Sequence, residues 1–85
     1  MKKRPAWWNW ELELTPHIYK RMADRDFTEL DLRAMLQAVS RLRRDVEPGR
    51  WVAITRLRRE RWEVVLEPDP EVERLVLITA YPVNL

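Results

Sequence analysis

The single histidine of the chain, His17, stands four residues before Arg21 and eight before Arg25. On a helix that spacing lays the three side chains along one stripe, with Ile18 and Met22 beside them facing a core. Imidazole next to guanidinium is a combination that handles phosphate. Cleaving RNA without a metal requires a base for the 2′-hydroxyl, an acid for the leaving 5′ oxygen and fixed positive charge for the phosphorane; histidine can make either proton transfer near neutral pH and arginine can supply the charge. A lone histidine near a helix start also serves as a surface or capping residue, so spacing alone leaves both roles open.

Two further groups have suitable chemistry. Thr79 and Tyr81 sit in the last strand, where strict alternation puts Leu75, Leu77, Thr79 and Tyr81 on one face and Val76, Ile78 and Ala80 on the other. On an open sheet surface a hydroxyl and a phenol can hydrogen-bond phosphate or stack a base; equally, Tyr81 can simply end a strand. Arg56, Arg58, Arg59 and Arg61 crowd one hairpin and form a candidate RNA-contacting or partner-binding surface. Other constellations fail. One histidine, no cysteine and scattered carboxylates offer no zinc site, and the lone glycine excludes a glycine-rich phosphate loop, so no metal or cofactor is expected.

The elements that must position these groups follow from periodicity. Trp8 to Leu14 alternates as a half-buried strand. Thr15-Pro16 starts a first helix that runs to about Asp24, and Thr28-Glu29-Leu30-Asp31 opens a second. Leu32, Met35, Leu36, Val39, Leu42 and Val46 recur at three- and four-residue spacing, which predicts one long amphipathic helix ended by Pro48-Gly49. Trp51 to Leu57 and Trp62 to Leu66 read as strands joined by an exposed tip at 58–61. Glu67-Pro68-Asp69-Pro70-Glu71 reads as a turn, and Arg74 to Tyr81 as the last strand, stopped by Pro82. The order β-α-α-β-β-β predicts an α+β fold, with two N-terminal helices packed on an antiparallel sheet.

A chain of 85 residues has room for one core, so a single domain is expected, with 1–7 as a basic, tryptophan-rich extension and 8–82 as the core. With 46% hydrophobic and 35% charged residues it can fold. Trp7, Trp8 and Trp10 are expected to serve the core or a partner, which includes a second copy in a homodimer. Lysine is confined to Lys2, Lys3 and Lys20, and arginine carries the remaining positive charge at a net +2. Guanidinium grips phosphate with paired hydrogen bonds, which leans toward polyanions, although most such arginines serve to solvate a surface. The absence of cysteine and of a signal-like apolar stretch suits a cytoplasmic protein with no membrane contact.

The run from Leu14 to Thr28, with a threonine and histidine followed by R-M-x-x-R, an apolar residue and a capping threonine, resembles the signature of the domain of unknown function 4258 family. The closing Ile78-Thr79-Ala80-Tyr81-Pro82 is similar to that family's terminal strand, and the likeness extends over about 12–82. The tryptophans at 7, 8 and 10 and the arginine-heavy hairpin are not part of the pattern. The resemblance implies a toxin-like fold of the RelE, ParE, BrnT, barnase, EndoU and colicin kind, a metal-independent ribonuclease activity, and often an antitoxin or immunity partner. Carried over, His17 is the acid/base, Arg21 and Arg25 bind phosphate, and Thr79 and Tyr81 support them. The alternatives are a non-catalytic RNA-binding or protein-interaction module and a toxin directed at a protein such as gyrase.

Overall fold

A threonine cap begins each helix. In the computed structural model, which describes residues 4–83, the Thr15 hydroxyl accepts the Ile18 N–H at 3.2 Å and starts α1 (Pro16–Asp24). Thr28 and Asp31 form a reciprocal capping box that starts α2 (Glu29–Gln37). Around them lie β1 (Glu11–Leu14), β2 (Arg41–Arg44), β3 (Trp51–Leu57), β4 (Glu60–Asp69) and β5 (Arg74–Pro82). The strands form one five-stranded sheet in the order β1-β5-β4-β3-β2. Two helices packed on one face of a mixed sheet make this an α+β fold, with α1 against β5 and α2 against β3. No helix among the described residues is long and apolar enough to cross a membrane.

The structure corrects several expectations. The sheet is not purely antiparallel: β1 runs parallel to β5, pairing Leu12 with Leu75 and Leu14 with Leu77. The intervening helices and strands supply the crossover that parallel neighbours require. Trp8 belongs to a 3-10 turn, Ala6–Asn9, not to the first strand.

The second helix stops at Gln37, and the residues expected to prolong it build an additional strand, giving β-α-α-β-β-β-β. Leu42 reaches the core side from β2 opposite Ala53, while Val46 is 98% exposed. The helical spacing of those two residues is coincidental. Pairing of 41–44 with β3 satisfies backbone groups and buries part of Leu42, and this tertiary pairing overrides the good helix propensity of three arginines and a leucine.

A further correction concerns β4, which continues through Pro68 to Asp69. β3 pairs with β4 only as far as the Trp51–Leu66 contact, so beyond Leu66 only β5 neighbours β4 and a residue lacking an N–H fits there. The hairpin tip likewise shrinks to Arg58 and Arg59, both at positive φ (52° and 69°), with Glu60 and Arg61 already in β4. Positive φ at both central residues is the geometry of a tight turn that follows the twist of the strands.

Val52 and Val65 are buried by their neighbours on the face of the sheet opposite the helices, but most buried side chains form one cluster between helices and sheet, including Ile18, Leu32, Met35, Leu36, Val64, Leu66 and Leu77. Thr55 is buried among them and donates to the Met35 carbonyl at 2.5 Å, tying α2 to β3. Trp7, Trp8, Trp10 and Trp51 pack half-buried against this cluster, with the Trp7 and Trp51 rings 5.6 Å apart.

Candidate functional site

A bulge in β5 sets the site. Val65 pairs with Thr79 but its neighbour Leu66 pairs with Leu77, so Ile78 is an extra residue. One inserted residue reverses the alternation: Leu75 and Leu77 face the core, then Ala80 does, and Thr79 and Tyr81 are turned to the uncovered face. The strict alternation expected from sequence, which grouped Leu75 and Leu77 with Thr79 and Tyr81, is thereby corrected.

β1 ends at Leu14, opposite Leu77, so the edge of β5 is unpaired just where Thr79 emerges. The chain turns there into α1, and the Thr15 hydroxyl fixes the junction by donating to the Leu77 carbonyl at 2.9 Å while capping the helix. His17, exposed in the first turn, thus lies over the β5 edge. Its Nε2 is 3.2 Å from Thr79 Oγ1 and 3.4 Å from Arg21 Nε, which donates to it. Guanidinium can only donate, so this geometry requires a lone pair on Nε2 and places the proton of the neutral ring on Nδ1. Once a bound hydroxyl takes the place of the long Arg21 bond, an imidazole nitrogen with its lone pair turned outward, a hydroxyl within hydrogen-bond reach and a neighbouring fixed positive charge can remove the proton of that hydroxyl and steady the anion that results. Arg21 also lies 3.6 Å from Asp24 Oδ2.

His17, Arg21 and Thr79 are therefore brought together, and the other two residues of the expected set stand apart. Arg25 is the cap residue beyond the end of α1, about 12 Å along the axis from His17 at 1.5 Å per residue, and is exposed. Tyr81 projects two residues beyond Thr79, about 6.6 Å along the strand. Its hydroxyl donates to Glu63 Oε1 at 2.8 Å, and Glu63 lies 3.6 Å from Arg43. Burial, followed by the hydrogen bond and charge of Glu63, pushes the Tyr81 phenol up to about 12. Sequence reasoning missed Glu63, Arg43 and Thr15 as partners. Glu63 alternates with buried Trp62 and Val64, which marks it as facing outward, but its neighbours depend on a register that sequence leaves open.

The uncovered face is a grid of rows across the strands. Thr79, Val65, Val52 and Arg43 form one row, Tyr81, Glu63, Ile54 and Arg41 the next, and Arg61 with Arg56 a third that meets Val83 through the Val83 N–H and Arg61 carbonyl at 2.7 Å. Beside this last row a groove of about 480 Å³ is lined by Arg56, Arg59 and Arg61 together with Ser40, Ile54, Thr55, Glu60 and Val83. Arg58 turns the other way, donating to the Asp26 carbonyl at 2.9 Å and to Asp31 Oδ2 at 3.0 Å. The Thr28 backbone N–H, with smaller help from the Thr28 hydroxyl and Arg58, holds the Asp31 carboxyl below its ordinary value. Arg58 is thus a strut between hairpin and helices and not one of the groove residues. A second groove of about 390 Å³ runs between Trp8 and Trp10 on one side and Arg33, Leu36 and Gln37 on the other. Arg4 stacks over the Trp8 ring at 5.3 Å and donates to the Val39 carbonyl at 2.6 Å. Among the described residues, no group of three or more histidines and carboxylates is placed to hold a metal ion.

Compared with known proteins, the chain matches no family model, no curated protein and no solved structure.

Proposed function

We propose that this protein is a toxin-like, metal-independent endoribonuclease that cleaves RNA by attack of the 2′-hydroxyl on the adjacent phosphate. The observation that carries the reading is the convergence of Arg21 Nε and Thr79 Oγ1, the latter 62 residues away in sequence, on the Nε2 of an exposed His17. His17 Nε2 takes the 2′-hydroxyl proton, the 2′ oxygen bonds to phosphorus, and the bond from phosphorus to the 5′ oxygen breaks. The leaving oxygen takes a proton from water, the hydroxide so formed takes the proton held by the His17 imidazolium, and the products are a 2′,3′-cyclic phosphate and a 5′-hydroxyl. Arg21 opposes the charge that accumulates on the phosphoryl oxygens, and Thr79 holds the imidazole over the strand edge. The toxin class, and with it an antitoxin or immunity partner, rests on the likeness of the Leu14 to Thr28 run and of the terminal strand.

The competing reading is a non-catalytic RNA-binding or protein-interaction module in which His17 only latches α1 to β5. What favours it is that both groups near Nε2 belong to the protein itself. Cleavage assays separate the two. Loss of a positioned proton-transfer group costs about 10²- to 10⁴-fold in rate, so His17→Ala should lose cleavage by that factor while excess chelator leaves the parent unaffected. Arg21→Ala should lose activity as well, and Arg25→Ala should stay near the parent. Induction of the parent alone should arrest growth. Parent-like cleavage by His17→Ala, or no cyclic-phosphate product from the parent, overturns the reading.

A further inference from the structure

The hairpin divides its arginines between two tasks. Arg58 braces the helices, whereas Arg56, Arg59 and Arg61 surround the groove and meet no carboxylate among the described residues. Arg56 and Arg61 are moreover direct cross-strand partners. Like charges placed opposite each other destabilise a strand pair. On the same sheet face Arg43 is matched by Glu63 and Arg50 by Glu67, while Arg41, exposed at the start of β2, meets no carboxylate among the described residues. Among the described residues, three unmatched guanidinium groups around one concavity, with Glu60 as the opposing charge on its lining, describe a site suited to an anionic ligand.

We propose that the three arginines of this groove bind successive backbone phosphates of a single RNA strand that crosses the uncovered sheet face from His17, over Tyr81, to the hairpin. The proposal rests on the ribonuclease reading and extends it to the substrate. The path follows β5: Thr79, Tyr81 and Val83 stand at successive intervals of about 6.6 Å, a step that one nucleotide of an extended strand can span. Tyr81 offers a half-exposed ring midway, and Val83 borders the groove. An unpaired strand can turn its bases onto an aromatic ring while its phosphates meet arginine; a duplex keeps its bases stacked inward and has no use for Tyr81.

The test is fluorescence anisotropy with a labelled 2′-O-methyl RNA strand, which lacks the attacking hydroxyl and reports binding whether or not the protein cleaves. The groove therefore stands or falls separately from the cleavage assays. The parent should bind the single strand at least tenfold more tightly than a duplex of the same sequence. The Arg56→Gln, Arg59→Gln, Arg61→Gln triple variant should bind at least tenfold more weakly, with a salt slope lower by about 2, because each phosphate contact on a single strand contributes about 0.7. Arg61→Gln alone should lower the slope by about 0.7 and melt no earlier than the parent, since it relieves the opposed pair; this single variant decides the matter if the triple variant does not fold. Unchanged affinity and slope in a folded variant, or equal affinity for the duplex, overturns the proposal.

Discussion

The two faces of the sheet are built from the same strands and ask opposite things of them. On the covered face Ala53, Val64, Leu66, Leu75, Leu77 and Ala80 meet the helices, and side chains are interchangeable provided they are apolar and of the right volume. On the uncovered face each polar group has a named partner, as in Arg43 with Glu63 with Tyr81, or lacks one, as at Arg56 and Arg61. The first face supplies the free energy of folding; the second holds groups at fixed spacing. Mutations on the first should therefore unfold the protein, and mutations on the second should change what it binds while leaving it folded.

The largest effect on stability is expected at Leu36, which is 8% exposed and lies on the helix surface facing the sheet. Leu36→Ala removes buried methyl groups and leaves a cavity, a loss of roughly 2–5 kcal/mol, a large share of what a domain of this size possesses. Thermal or urea unfolding should show a clear drop in midpoint. A curve matching the parent would mean that the covered face does not depend on α2 for its stability.

A smaller loss is expected at Thr55, the polar residue inside that apolar layer. Thr55→Val keeps the shape but leaves the Met35 carbonyl at the end of α2 with the Ala38 N–H, at 3.1 Å, as its remaining donor. Losing one hydrogen bond while the acceptor keeps another costs about 0.5–1.5 kcal/mol. If Thr55→Val matched or exceeded the parent in urea unfolding, the hydrogen bond would be shown to be dispensable and the covered face to be apolar in its energetics throughout.

How much of this was legible in the sequence differs between the faces for a physical reason. The covered face announces itself through periodicity: Leu32, Met35 and Leu36 are buried as their spacing indicates, and both helix starts follow from Thr15-Pro16 and Thr28 with Asp31. Local chemistry decides such features. Periodicity failed where tertiary pairing overrode it, at Leu42 and Val46, which continue a helical spacing but lie on and beside β2. Pro68 misled because a proline is excluded from a strand only where its missing N–H would have had a partner. The site itself was half legible. His17 with Arg21 follows from helix geometry alone, but their meeting with Thr79 depends on the extra residue Ile78, and nothing in the spacing of Leu75 to Tyr81 marks where the alternation reverses.

The mildest prediction tests the uncovered face by pH. The Tyr81 phenol is raised from 10.0 to about 12 in the folded protein, by burial first and by Glu63 next. A raised folded value means that the neutral phenol is favoured by folding. That contribution is fully present below pH 10 and disappears as pH climbs toward 12, because above the ordinary value the unfolded chain releases its proton while the folded chain must hold it. Tyr81→Phe removes the group that titrates. At neutral pH it should cost no more than about 0.5–1.5 kcal/mol, the net worth of one hydrogen bond. Between pH 10 and 12 its stability should fall less steeply than that of the parent, and the tyrosinate absorbance that develops near pH 12 should be missing. Parallel stability curves for the two proteins across that range would show that Tyr81 is free of Glu63 in solution. The ring would then be available to a nucleotide without first breaking a hydrogen bond, and the contrast between the two faces would weaken at the point midway between His17 and the arginine groove.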